Sequence, residues 1–343
     1  LSQPASAAAK APFLAFAFGP IGIGQLFSAD DLARLAGVCR VDDGAPLQDF
    51  SAATGAALSE TEILVTGWGC PRIDARALEA MPRLRLIAHA AGSVKHLVAP
   101  EVFERGIAVI NAADANAIPV AEFTLAAILF ANKQVFRFQR DYSQRRSYVA
   151  LHESPDNNAG NWRKRVGIVG ASRIGRRVID LLRPHALDML LHDPLVDEDE
   201  ARRLGVRLVP LPELMVTSDT VSLHAPLLPG TRGMIDAGML ALMRDGTTLI
   251  NTARGGLIDT EALERELVSG RLSAVLDVTE PETPPASSPL YTLENVLLTP
   301  HIAGAIGSER QRLGALVADE VARYLRGEPL RHAVTPESLI HQA

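Results

Sequence analysis

Three stretches of this 343-residue chain carry side chains that could do chemistry together. "INTARGGLID" holds Arg254, "LDVTEPE" holds Asp277, Glu280 and Glu282, and "LTPHIAG" holds His301. Each follows an apolar run of strand type, and open α/β sheets place ligands beyond the carboxyl ends of their strands. An imidazole titrates near neutral pH and can pass a proton in either direction. A guanidinium can grip a carboxylate through two parallel hydrogen bonds and polarise a carbonyl. Taken singly, each residue has an ordinary explanation: a solvated arginine, surface glutamates, a packed histidine. Their recurrence at the ends of three successive strands favours a shared site.

A fourth stretch, "VGIVGASRIGRRV", reads as a strand, a glycine turn and a helix in the order a dinucleotide pyrophosphate requires. Gly170 and Gly175 stand at the first and third positions of G-x-G-x-x-G, while Ser172 occupies the middle one. The serine is expected to be a tolerated departure, because its hydroxyl can donate to a phosphate oxygen. The helical amides of Arg173 and Ile174 would hold the pyrophosphate. Asp193 ends the next strand, "LDMLLHD", about twenty residues on, where a carboxylate accepts from the adenine ribose hydroxyls. The earlier run "GPIGIG", residues 19–24, has no third glycine at the right distance and reads as an ordinary loop.

Short β-rich runs alternate with helix-sized segments almost throughout, which predicts parallel sheets with crossover helices to position these residues. "FLAFAF", "EILVTG", "LRLIAHA" and "IAVINA" form a first series. "RVGIVG", "LDMLLHD", "VRLVP", "DTVSLHAP", "TTLINTA", "LSAVLDV" and "NVLLTPH" form a second. Two open α/β domains follow: one from residues 11–132 with 303–343, the other from 133–302. Two alanine- and leucine-rich helices connect them, the first expected to begin at Pro119, and a ligand cleft is expected between the domains.

The composition is that of a globular chain, 47% apolar and 22% charged, and a net charge of -6 argues against nucleic-acid or anionic-membrane partners. Cys39 and Cys70 form no CxxC pair, so no disulfide framework or metal site is expected and a cytoplasmic location fits. The apolar run near residue 13 is broken by Pro and Gly and too short to span a bilayer. The segment "SQPASAAAK" before it reads as a loose leader.

The set "GASRIG", "SLHAPLLPGTRGMI", "INTARGGLIDTEAL", "LDVTEPE" and "LTPHIAG" closely resembles the NAD-dependent D-2-hydroxyacid dehydrogenase family, over roughly residues 13–327. The resemblance implies a Rossmann NAD-binding domain inserted in a discontinuous flavodoxin-like substrate domain, a homodimer, and a small 2-hydroxy or 2-keto acid substrate. It also implies an arginine on the substrate carboxylate, matching Arg254, and a histidine acid/base paired with a glutamate. His301 matches the histidine; Glu282, five residues after Asp277, matches the glutamate, whereas Glu280 does not. Cofactor contacts are expected from Gly170, Ser172, Arg173, Ile174, Gly175, Asp193, Pro226, Thr231, Thr252, Ala253, Arg254, Asp277, His301 and Gly304. His224 is expected to line the cofactor path. Gly92, Ser93 and Lys95, in "AAGSVKHL", are expected at the substrate, Lys95 standing where the family commonly has an acid. The rival reading is a non-enzymatic NAD(H)-sensing protein on the same fold, which would not require the set Arg254, Glu282 and His301.

Overall fold

The computed structural model describes residues 11–50, 56–146 and 159–340, so the leader lies outside the described residues. The chain divides into two compact units: the part up to Asn116 together with the part from Ile306 onward, and Ala117–Ala305.

The first unit carries a five-stranded parallel sheet in the order β2-β1-β3-β4-β5, from β1 (Phe13–Ala17), β2 (Arg40–Val41), β3 (Thr61–Thr66), β4 (Leu86–His89) and β5 (Ala108–Asn111). This is the flavodoxin-like order. Every residue of β1 and β4 is buried, as expected for parallel strands covered on both faces, where apolar runs are continuous rather than alternating. The helix Arg310–Leu325 returns to this unit and packs hard against its start: a Cβ at Gly314 would lie 1.9 Å from the Leu26 carbonyl oxygen. "GPIGIG" leads only into the four-residue helix Ile23–Leu26.

The second unit carries seven parallel strands: β6 (Arg165–Val169), β7 (Asp188–His192), β8 (Arg207–Leu208), β9 (Thr220–Leu223), β10 (Thr248–Asn251), β11 (Ser273–Leu276) and β12 (Val296–Leu298). Their order is β12-β11-β10-β9-β6-β7-β8. Strand order reverses between β6 and β9, the switch point at which doubly wound sheets open a crevice. The registers Val169↔Leu223, Leu223↔Asn251, Asn251↔Leu276 and Leu276↔Leu298 bring the carboxyl ends of five strands level.

The first connecting helix differs from expectation. It spans Ala113–Asn132, with Pro119 inside it rather than at its start. Asn111 Oδ1 accepts from the Ala113 amide, which opens the helix six residues early. Proline removes one internal hydrogen bond without ending the helix. This helix is long and apolar enough to cross a membrane by length and composition. Here Ala121, Ala127, Ile128 and Ala131 instead pack in one cluster with Val166, Ile168 and Ile250 of the second sheet. That packing places the boundary near residue 116 rather than 132, and the return near 306 rather than 303.

Two buried histidines make stability depend on pH. Burial lowers His89, in the first unit, to about 4, although a backbone hydrogen bond at Ser93 opposes the shift. Burial lowers His224, in the second, to about 3. Both are neutral when folded, so below pH 6.5 the unfolded chain binds protons that the native one refuses. Stability is whole above 6.5 and falls with pH until the folded values are reached. At pH 5.5 each histidine is expected to cost about 1.4 kcal/mol. Urea titrations at pH 7.5 and 5.5 check this; a difference that His224→Gln leaves unchanged in the second unit would refute it.

Candidate active site

The glycine turn follows β6. Gly170 has φ 99°, and a Cβ there would lie 2.6 Å from the Ala225 amide nitrogen just beyond β9. A Cβ at Gly175 would lie 2.1 Å from the Gly170 carbonyl oxygen. Both glycines are therefore demanded by the close approach of turn, helix and neighbouring strand. Ser172 is under no such demand. It is the N-cap of the helix Arg173–Leu182, its side chain accepting from the Gly175 amide at 3.4 Å. The hydroxyl is thus folded back onto its own helix and keeps its proton for a further acceptor. Val178, Ile179 and Leu182 bury the helix against the sheet.

Asp193, directly after β7, is tied into the same turn. Its Oδ2 accepts from the Ala171 amide at 2.7 Å and its Oδ1 from the Leu195 amide at 2.8 Å. Beneath the turn, His224 is fully buried, with Nε2 2.8 Å from Ser222 Oγ and Nδ1 without a hydrogen-bond partner. The cradle fits a dinucleotide: a helix N-terminus with its first amides forward, a carboxylate fixed about twenty residues on, and glycine at the closest approaches. Ser172→Gly, which exchanges the cap for a barer turn, is expected to change the NADH dissociation constant by no more than about tenfold, or 1.4 kcal/mol. Calorimetric titration checks this; failure of the natural protein to bind NADH while the glycine variant binds would refute it.

Beyond β9, Thr231 Oγ1 donates to the Pro226 carbonyl at 2.6 Å and accepts from the Leu228 amide at 2.8 Å, holding residues 226–231 as a compact turn. Beyond β10, Thr252 Oγ1 lies 2.9 Å from Thr124 Oγ1 of the connecting helix. Asn251 braces the Arg254 loop from both sides, donating to the Arg254 carbonyl at 2.9 Å and accepting from the Ala253 amide at 3.0 Å. Gly255 then lets this loop lie against the next: a Cβ there would be 2.0 Å from the Thr279 carbonyl carbon. Burial lowers the Arg254 pKa and the carboxylate of Glu282 raises it, which places the two charges in one electrostatic neighbourhood.

The loops after β11 and β12 bring Glu282 and His301 together. His301 Nδ1 lies 2.5 Å from Glu282 Oε1, and both side chains are at least half exposed. Glu280 instead stands 3.9 Å from Arg232. The peptide Glu280–Pro281 is cis, and His301 has φ 55°, an uncommon conformation for a side-chain-bearing residue. A left-handed histidine persists where its surroundings over-determine it, and Asp277 supplies that restraint. Its buried carboxylate accepts from Thr299 Oγ1 at 2.7 Å, the Ile302 amide at 2.8 Å and the Ala303 amide at 2.9 Å, while its carbonyl accepts from the His301 amide at 2.9 Å. Gly304 follows in the same loop. Asp277, expected from the sequence as a cofactor contact, also clamps the loop that carries His301.

In the first unit, Gly92, Ser93 and Lys95 occupy the loop after β4. Buried His89 anchors the loop's start through Nδ1, 2.9 Å from Thr66 Oγ1. Val94 is fully buried, Ser93 Oγ accepts from the Lys95 amide at 3.3 Å, and Lys95 is partly exposed. Among the described residues no group of three or more His, Cys, Asp or Glu could hold a metal ion.

Residues 125–303 match the NAD-binding domain of the D-isomer specific 2-hydroxyacid dehydrogenases. The chain is 35% identical over 271 residues to a glyoxylate reductase of Korarchaeum cryptofilum, covering 79% of this chain and 80% of that protein. It is 30% identical over 273 residues to a D-3-phosphoglycerate dehydrogenase of Archaeoglobus fulgidus, covering 78% of this chain. It spans about half the length of that relative, 50%. The crystal structure of the TT0316 protein of Thermus thermophilus superposes with a TM-score of 0.73 at 29% identity, covering 94% of this chain and all of that one, 100%. The chain belongs to the D-isomer specific 2-hydroxyacid dehydrogenase family, and its second unit is the NAD-binding domain.

Proposed function

We propose that the protein is an NAD-dependent D-2-hydroxyacid dehydrogenase that interconverts a 2-keto acid and its 2-hydroxy acid. The observation that carries this reading is the 2.5 Å His301–Glu282 pair on a loop clamped by Asp277, beside a half-buried Arg254. A protein that only senses NAD(H) has no use for a proton-transfer pair beside a carboxylate-gripping cation.

When bound, the nicotinamide gives a hydride to C2 of the keto acid or takes one back. Arg254 holds the substrate carboxylate and draws electron density from the C2 carbonyl. With Nδ1 directed at Glu282, the Nε2 atom of His301 is the one that gives its proton to the carbonyl oxygen, or removes it from the hydroxyl in the reverse direction. Glu282 fixes the orientation of the ring through Nδ1.

The two relatives are named for glyoxylate and for D-3-phosphoglycerate, one a bare short acid and the other an acid with a distal phosphate. We assign the Gly92, Ser93 and Lys95 loop to substrate selection, with Lys95 a flexible cation for a second anionic group. The test is an NADH-consumption screen of glyoxylate, hydroxypyruvate, phenylpyruvate and 3-phosphohydroxypyruvate. A keto acid with a distal anion should outpace glyoxylate in kcat/KM, and Lys95→Ala should lower that ratio. No consumption with any of them would refute the reading.

Asp193 sets the cofactor. A 2′-phosphate would meet its fixed carboxylate and the acidic run Asp197–Glu200, so NADH should exceed NADPH in kcat/KM by at least about tenfold, or 1.4 kcal/mol. Comparable values would contradict the assignment. A homodimer and a cytoplasmic location complete the reading. The first rests on the family resemblance. The second is supported by Cys39 and Cys70 being free thiols.

A further inference from the structure

The carboxyl edge of the first sheet ends on polar side chains that packing alone does not require. Thr66, His89 and Asn111 are the last residues of β3, β4 and β5, they are register partners across these strands, and all are buried. Register partners in neighbouring strands present their side chains to one face, and Thr66 Oγ1 meets His89 Nδ1 at 2.9 Å. An aliphatic side chain would fill the place of His89 without the cost of burying a polar ring.

A neutral imidazole has one donor and one acceptor. The ring of His89 also hydrogen-bonds the Ser93 backbone, and that bond favours the protonated form, so the ring donates and the Ser93 carbonyl accepts. With Nδ1 taken by the Thr66 hydroxyl, the donor is Nε2, and Thr66 thereby selects the tautomer. The Ser93–Val94 peptide is trans, so its N–H points away from the ring that holds its carbonyl. Around it the chain is pinned: the Ala90 amide donates to the Thr66 carbonyl at 2.7 Å, and the Ala112 amide to the carbonyls of His89 and Ala91 at 2.9 and 3.0 Å. The successive amides of Gly92, Ser93 and Val94, by contrast, donate to no group among the described residues. Such a run of unpaired N–H groups at the carboxyl edge of a parallel sheet is suited to an anion.

We propose that His89 is a positioning residue for the keto acid: braced by Thr66, its ring holds the Ser93 carbonyl inward and so turns the Val94 amide out, beside those of Gly92 and Ser93, to donate to a carboxylate oxygen of the substrate. The inference rests on the assignment of this loop to the substrate. Its effect is preorganisation, since donors already aimed need no ordering when the acid binds.

Steady-state kinetics at saturating NADH, with whichever keto acid of the screen the natural protein reduces fastest, tests the proposal. His89→Leu fills the space but removes both ring hydrogen bonds. It should raise KM roughly tenfold with kcat changed by no more than about threefold, because the binding lost is common to ground and transition states. His89→Gln, whose Nε2 can still donate to the Ser93 carbonyl, should bring KM back to within about threefold of the natural value. Thr66→Val, nearly isosteric, unbraces the ring and should raise KM at least about threefold; it carries the test if the leucine variant does not fold. A histidine that only supported the fold would instead lower the active fraction, and hence kcat, at constant KM. KM unmoved by both His89→Leu and Thr66→Val, or a glutamine variant no better than the leucine one, would overturn the proposal while the functional reading stands. A natural protein that reduces none of the keto acids would overturn that reading and the proposal with it.

Discussion

His301→Asn is expected to lower kcat for 2-keto acid reduction by roughly 10²- to 10⁴-fold, the range for loss of a positioned acid/base. Asparagine is the informative replacement because residue 301 sits at φ 55°. Asn tolerates the left-handed region better than Ala, so the loop pinned by Asp277 keeps its shape while the proton carrier is removed. NADH affinity should stay within about threefold, since the glycine turn and Asp193 are untouched. Near-normal turnover would show that the proton moves elsewhere.

Arg254→Ala should lower kcat/KM for the keto acid by roughly 10²-fold, equivalent to about 2.7 kcal/mol. The guanidinium is half-buried beside Glu282 on a loop braced by Asn251 and Gly255, where a charge-assisted pair is worth more than at the surface. Arg254→Lys should recover less than about tenfold, because a point charge cannot reproduce the two-pronged grip. Steady-state kinetics over a range of keto acid concentration distinguishes the two. Activity in the alanine variant close to that of the natural protein would remove Arg254 from the substrate.

The strands of the second unit are legible in the sequence because parallel strands buried on both faces read as apolar runs, as in "VGIV" and "AVL". Two-residue β2, Arg40–Val41, leaves no such run. The helix opening at Ala113 is hidden because Pro119 suits a first turn, while the actual cap, an Asn111 side chain, precedes that proline by eight residues. Gly170 and Gly175 announce the turn, yet they do not reveal that Ser172 folds onto its own helix. That signal is present too, a serine three residues before a helical amide. The choice of Glu282 over Glu280 rests on family resemblance, and the structure separates the two by their partners, His301 and Arg232. The clamp made by Asp277 is out of reach of sequence reasoning, for it joins a carboxylate to backbone amides 25 and 26 positions later.

The proposed function has three parts: the Gly170 turn would hold the coenzyme that supplies hydride, Arg254 would grip the keto acid, and His301 would protonate it. Reduction of hydroxypyruvate with NADH carrying deuterium at both C4 positions, followed by mass spectrometry and chiral separation of the product, tests it in one measurement. The expected product is a 2-hydroxy acid of D configuration with one deuterium at C2. Hydrogen from solvent at C2, or a product of L configuration, would contradict it.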